Sequence, residues 1–432
     1  MWRQKVGVIT ATLSSLCLGY QISAIDAPSL IFQQCQPLES FSLLKPCIKV
    51  SLWEWASIVA IFCIGALFGS LFGGLLNQRL GRKTSMAISI FSFILGMTCI
   101  STANFFSMLL VGRFIVGVAG GLSTVTVPMY LAEIAPSAAM KGTLATLHQL
   151  ALVLGILLAQ ITGLFLSSHW RILFALPLAA NIIQVILMFF VVESPDYYDC
   201  RSDHEMALKS RLMLFGKNHV KQEHKEENTI SLWSLLRIKE ARKSLLIACS
   251  LHFFQPASGI NGLFYFSTFL FKDISHLLSP SLIAISIGVT NLLSTIISVR
   301  LIDRVGRRIL LISSSSMICT SAIGLCLSFH YNFLPGRIGF VLLYMIGFAI
   351  GLGTVPWIVI SDIFPSSAIP AAFCLATFIN WLTNFAVGLL FEPMALQLQS
   401  LTFIPFAALM LVLFLTSIFY ITESKDRKGN YL

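Results

Sequence analysis

The sequence predicts an all-α integral membrane protein whose twelve transmembrane helices form two six-helix bundles, and three observations predict it. Mean hydropathy is +0.84, with 56% hydrophobic and 11% charged residues, a balance that a soluble domain of 432 residues could not carry on its surface. Twelve stretches of about 20 apolar residues hold few charges, and that length crosses the hydrocarbon core. The run Arg79-Leu80-Gly81-Arg82-Lys83 returns as Arg304-Val305-Gly306-Arg307-Arg308, each time directly after the second apolar stretch of its half. One unit has been used twice, as in gated solute paths.

The spans run 6–28, 53–76, 85–103, 107–127, 143–166, 171–192, 245–271, 282–302, 309–329, 338–360, 369–391 and 401–421. None shows the two-residue alternation of a barrel strand. Span 1 follows Arg3 and Lys5 like a signal peptide, but it is longer than a signal core and lacks a small-residue cleavage pattern, so it reads as retained. Span 4 carries Gly117, Gly120, Gly121 and Pro128. The polar interval after span 6 contains Lys221, Glu223, Lys225, Glu226 and Glu227, and its Leu232, Trp233, Leu235 and Leu236 suit a membrane face. The division is therefore 1–192 for the first bundle, 193–243 for a linker and 244–432 for the second bundle with a short tail. Span 7 holds Gln255, Pro256, Ser258, Gly259 and Asn261, where Pro removes a donor and Gly lowers stiffness, so unwinding would offer main-chain groups to a cavity. Span 10 is interrupted by Gly347, Gly351, Gly353 and Pro356, with span 4 as its counterpart in the first half. Broken segments at matching positions point to a midplane site.

The net charge of +10 follows topology rather than nucleic acid. About 23 of the 29 basic residues fall at the termini, in the linker or on loops of its side. Lys45, Lys49, Lys272 and Arg337 lie opposite, which makes both termini and the linker cytoplasmic. Seven of the ten cysteines lie in spans as small hydrophobes. Cys35 and Cys47 share the first outer loop and could form a disulfide, a pairing the sequence leaves open. No Asn-x-Ser/Thr acceptor occurs.

Charges inside the spans are nearly absent, whereas Gln149, Gln160, Asn181, Gln184, Gln255, Asn261, Asn291, Asn380 and Asn384 stand at membrane depth. Ion-coupled and anion carriers need a charge near the midplane. An amide instead offers donor and acceptor together, matching a hydroxyl and favouring a neutral polyol-like ligand. An interhelical bond worth about 1 kcal/mol explains any single amide equally well; clustering shifts the weight. Trp357 and Trp381 add apolar faces for the C–H patches of a sugar. No paired carboxylates, metal-ligand set or nucleophile with a base share one depth, so neither an enzyme nor a metal or cofactor site is expected. His148 and His252 read as hydrogen-bonded structural groups.

Gly112-Arg113, the run Pro128 to Pro136, Thr146-Leu147-His148-Gln149-Leu150, Glu193-Ser194-Pro195, Ser258-Gly259-Ile260-Asn261, Asp303 to Arg308 and Asn380-Trp381 together resemble the signature set of the sugar porters, the glucose transporters of the major facilitator superfamily. The resemblance covers about residues 6–425. It implies hexose transport by a monomer at a plasma membrane. It also implies that Gln149, Gln255, Asn261, Asn291, Trp357 and Asn384, with neighbours Asn380 and Trp381, bind or line the sugar, and that Tyr265 and Phe266 form a lid. Pro256 and Ala349 depart from the family pattern, each removing a hydroxyl partner. Proton-driven members resemble this chain around Gly19-Tyr20 but carry Asp where Gln21 stands; Gln21 does not titrate, so uniport is favoured over proton symport. Arg82, Arg113, Glu133 and Glu193, with Asp303, Arg307, Arg308, Asp362 and Glu423, are expected to cluster at cytoplasmic helix ends as a charged latch. A non-transporting sugar receptor is a rival reading; relatives of that kind add a long tail.

Overall fold

The computed structural model describes residues 2–35, 46–136, 138–216, 232–271, 279–365 and 368–419. Its helices are α1 (Trp2–Ser23), α2 (Ser29–Gln33), α3 (Leu52–Leu80), α4 (Arg82–Ser101), α5 (Phe106–Glu133), α6 (Ala138–Leu166), α7 (Trp170–Ala175) and α8 (Leu178–Met188), then α9 (Pro195–Asp199), α10 (His204–Phe215) and α11 (Leu232–Arg237) of the linker. There follow α12 (Ala241–Ala257), α13 (Ile260–Leu270), α14 (Pro280–Val305), α15 (Arg307–His330), α16 (Leu334–Gly347), α17 (Val355–Ile363), α18 (Ile369–Leu398) and α19 (Ile404–Phe419). Among the described residues nine helices are long and apolar enough to cross a membrane, one of them, Thr146–Met188, being long enough for spans 5 and 6 together. The two remaining crossings are span 7, broken between α12 and α13, and span 12, the shorter apolar α19. Span 6 breaks into α7 and α8 at Leu176-Pro177, where proline withdraws a donor.

The two faces of the bundle are distinct. One carries the linker helices and is called here the linker face; Tyr197 of α9 donates to the Arg79 carbonyl there at 3.2 Å. The other carries the Cys35–Cys47 disulfide, with Cα atoms 6.0 Å apart. Beside that disulfide, Phe32 lies between Trp55 and Trp170 at ring distances of 5.2 and 5.0 Å, and Trp170 Nε1 donates to the Pro46 carbonyl. In α11, Leu235 is buried while Trp233 is 75% exposed.

The repeated basic turns have one geometry. Gly81 and Gly306 adopt φ +90° and +93°, the left-handed region open to glycine, and each reverses the chain between successive spans. The glycines of span 4 have a different role from the one expected of them. α5 is unbroken from Phe106 to Glu133. A Cβ on Gly117 or Gly121 would stand 2.1 Å from the Phe62 carbonyl oxygen or 2.0 Å from that of Ala66, so these glycines let α3 and α5 touch backbone to backbone. Span 4 is therefore not broken where span 10 is, and the matched pair of interruptions at these two positions is not present.

The halves meet along α3 against α18 and α6 against α14. Near the disulfide face Gly388 lies beside Val59 and Ala60; toward the linker face a side chain on Gly74 would stand 3.4 Å from Cys374. The α3–α18 seam is thus in contact both near the disulfide face and toward the linker face. Gly121→Val is expected to force α3 and α5 apart and lower stability by about 1–3 kcal/mol, read as a fall in the thermal unfolding midpoint of the purified protein.

Candidate functional site

Four amides form one directed chain across the second bundle. Asn261 Nδ2 of α13 donates to Asn384 Oδ1. Asn384 Nδ2 donates to Asn380 Oδ1 at 3.0 Å, and Asn380 Nδ2 donates to Gln255 Oε1 at 2.8 Å and to the His252 carbonyl at 3.0 Å. Gln255 Nε2 then donates to the carbonyls of Leu352 and Gly353 at 3.1 and 3.2 Å. The backbone creates this arrangement. α12 ends at Ala257, and Gly259, with φ +83°, separates it from α13 and sets Asn261 at the start of α13. Span 10 passes through a π turn over Phe348–Leu352 in which Gly353 N–H reaches back to the Phe348 carbonyl, and Pro356, four residues after Leu352, has no N–H to give the Leu352 carbonyl, which is left to a side-chain donor. Asn380 and Asn384, four apart on α18, share a face. The amides satisfy one another, each with the donor and acceptor groups that a hydroxyl also carries.

Two indoles border the chain. Trp357 receives the His252 ring edge-on at 4.8 Å and the His148 ring at 6.0 Å, and stacks on Phe373 at 6.5 Å. Trp381 meets Phe62 of the first bundle edge-on at 5.8 Å. Both indole N–H groups are buried without a hydrogen-bond partner, so each is a donor in reserve. His148 pairs with the Ser15 hydroxyl at 2.8 Å. Gln149 of α6 is half-buried and joins no amide bond, and Asn291 is buried with only Thr295 near its oxygen at 3.5 Å. The structure thus joins Gln255, Asn261, Asn380 and Asn384 and leaves Gln149 and Asn291 apart from them.

Above the chain, toward the disulfide face, Tyr265 and Phe266 are fully buried. The Tyr265 hydroxyl lies 3.8 Å from Cys63 Sγ of α3. Phe266 leaves helical geometry, with φ −134°, and stacks on Phe391 of α18 at 5.6 Å. Gln33 of α2 donates to Glu392 of α18 at 2.9 Å, joining the halves at this mouth. Sequence reasoning missed this pair; the available signal was an acidic residue at the end of span 11, whose burial no local pattern reports.

On the linker face the charges form two similar clamps, each within one half. Arg82 donates to both Glu133 oxygens at 2.9 and 2.7 Å and to the Asn77 carbonyl at 3.1 Å. Arg307 donates to Asp362 at 3.0 Å and to the Ile302 carbonyl at 3.2 Å. In each clamp the arginine reaches a carbonyl five residues back, across the basic turn. Glu193 accepts from the main-chain N–H groups of Arg82, Lys83 and Ser194. Burial pushes its carboxyl above the usual range, and these three bonds oppose the rise. Arg308 caps α19 through the Ile418 carbonyl at 2.6 Å. The side chain of Asp303 and all of Glu423 lie outside the described residues.

Arg113 does not belong to this cluster. It stands near the start of α5, which enters from the disulfide face, so most of a bilayer separates it from Glu133. Its Nη1 and Nε reach the carbonyls of Gln21 and Ile58 at 3.0 and 3.4 Å, and its Cζ lies 4.7 Å above the Phe62 ring. Interaction with the carbonyl end of α1 is worth at most ~2 kcal/mol. Burying a cation costs several kcal/mol, so these contacts offset only part of the penalty.

A family model described as Sugar (and other) transporter matches residues 7–429. The chain belongs to that family. This sugar transporter family member is 34% identical over 457 residues to the human solute carrier family 2, facilitated glucose transporter member 4, covering 98% of this chain and 88% of the relative. It is 34% identical over 442 residues to the sheep facilitated glucose transporter member 3, with 96% and 89% covered. Its fold is that of the proton:xylose symporter XylE bound to 6-bromo-6-deoxy-D-glucose, at TM-score 0.79 and 22% identity, covering 99% of this chain and 97% of that one. The partially occluded inward open form of XylE from E. coli gives TM-score 0.80 at 23% identity, with 97% and 100% covered. Asn380→Ala, which leaves Gln255 Oε1 unpaired and Asn384 Nδ2 with only the residue-380 carbonyl, is expected to destabilise the transporter by about 1–3 kcal/mol, whereas Gln149→Ala is expected to leave the unfolding midpoint nearly unchanged; thermal unfolding without ligand measures both.

Proposed function

We propose that this chain carries a hexose, with glucose the leading candidate, down its gradient as a facilitative uniporter by alternating access. The observation that carries the reading is the uncharged amide chain Asn261–Asn384–Asn380–Gln255 beside two indole donors in reserve at the meeting of the bundles. Hydroxyls can replace amide partners one for one, and no buried ion is needed to hold them. Relatives named as facilitated glucose transporters at 34% identity support the same substrate class. Gln149 and Asn291 would complete the contacts when the halves move. Tyr265 and Phe266 would close over the sugar from the disulfide face.

Uniport rests on Gln21, an amide where a proton-driven carrier needs a titrating group. The topology is a multi-pass chain of the plasma membrane, working as a monomer, divided at 1–192, 193–243 and 244–432, with both termini cytoplasmic by the placement of its basic residues. Non-catalytic action fits a site built of amides and indoles. The clamps Arg82–Glu133 and Arg307–Asp362 would hold the cytoplasmic helix ends of each half while the halves rock against each other.

Counterflow of labelled glucose in proteoliposomes should proceed at the same rate with and without a pH gradient. Accumulation against the sugar gradient at the expense of protons would show a symporter, and binding without flux a receptor. Asn261→Ala and Gln149→Ala should each weaken sugar binding roughly 10-fold, the effect of losing one hydrogen bond to a buried group. Glu133→Gln should lower turnover far more than affinity; equal losses in both would count against the clamp.

A further inference from the structure

We propose that Arg113 and Gln21 hold a small monovalent anion of the halide class at the disulfide-face end of the first bundle. Arg113 is 0% exposed and two of its three guanidinium nitrogens reach main-chain carbonyls, while Nη2 has no hydrogen-bond partner. No ion pair among the described residues includes it. Gln21 is likewise 0% exposed, and neither its Nε2 nor its Oε1 is bonded. Its carbonyl lies 3.0 Å from the guanidinium, so its amide is anchored within side-chain reach of the charge.

The chemistry selects the ligand. Of the three unpaired groups, the guanidinium N–H and the amide N–H are donors that suit an acceptor, while Gln21 Oε1 is itself an acceptor; the fixed positive charge repels a metal cation. A neutral acceptor such as water fills the bonds and leaves the positive charge uncompensated in a low-dielectric surrounding, whereas a halide supplies both bonds and charge. Polyatomic anions need more donors than these two residues offer, so chloride is the fitting occupant.

The test needs no sugar, so its failure and failure of the transport reading are separate. The purified full-length protein is unfolded by heat in sodium chloride, sodium bromide or sodium gluconate at one ionic strength. Chloride and bromide should raise the midpoint by a few degrees with saturation, and gluconate should not. Gln21→Glu sets a carboxylate beside Arg113 and should abolish the halide shift, with its midpoint in gluconate at or above that of the wild type in chloride. Arg113→Gln should abolish the shift as well. A wild-type midpoint indifferent to halide, the result expected if water fills the site, overturns the proposal. So does a halide shift that survives Gln21→Glu, a variant that keeps the guanidinium and decides the matter whether or not Arg113→Gln folds.

Discussion

The mutual satisfaction of buried amides at the meeting of two helical bundles governs the remainder of this architecture. In a low-dielectric interior an unpaired amide carries its full desolvation penalty, so Asn261, Asn384, Asn380 and Gln255 must find partners whenever no ligand is bound. They find one another, and the last of them finds the Leu352 and Gly353 carbonyls in the interrupted part of span 10. The break at Gly259 and the π turn thus belong to the same device, each exposing main-chain groups where the amides run. On the proposed reading a sugar entering this chain would trade equivalent bonds, so binding need not be tight to be specific. Modest affinity is what a carrier that must release its cargo requires.

Duplication produced matching ends and unmatched middles. The glycines at 81 and 306 share one conformation, and the arginines after them reach an acid on the following span and a carbonyl five residues back. At membrane depth the halves diverge. Glycines in the first bundle let α3 and α5 lie backbone to backbone, a rigid pair, while the second bundle carries the break at Gly259, the π turn and the bonded amide chain. The second bundle therefore holds the adaptable part of the site, and the first supplies a firm wall with Phe62 against Trp381.

Several features were legible before any coordinates. The twelve spans, the basic turns, the interruption of spans 7 and 10 and the neutrality of the midplane all follow from residue type and spacing. Others were not. Span 4 has the same glycine-rich look as span 10, yet its glycines face a neighbouring helix and the helix continues, because glycine is compatible with a break and with close packing alike. Arg113 was grouped with Glu133 because one helix carries both; the direction in which that helix enters the membrane sets them at opposite ends. The Gln33–Glu392 contact joins residues remote in the chain and has no local pattern.

By itself the sequence determined the solvent this chain lives in, the number of crossings, the reversal of the chain at each basic turn and the uncharged polar character of its interior. These are local properties, set by side-chain hydropathy and by the conformations that glycine and proline allow or forbid. Tertiary structure alone decided which amide bonds to which, which glycines pack and which break, and where a buried arginine finds its carbonyls. A hydrogen bond depends on a partner's position within about 3 Å, and only the packing of helices distant in the chain sets that position.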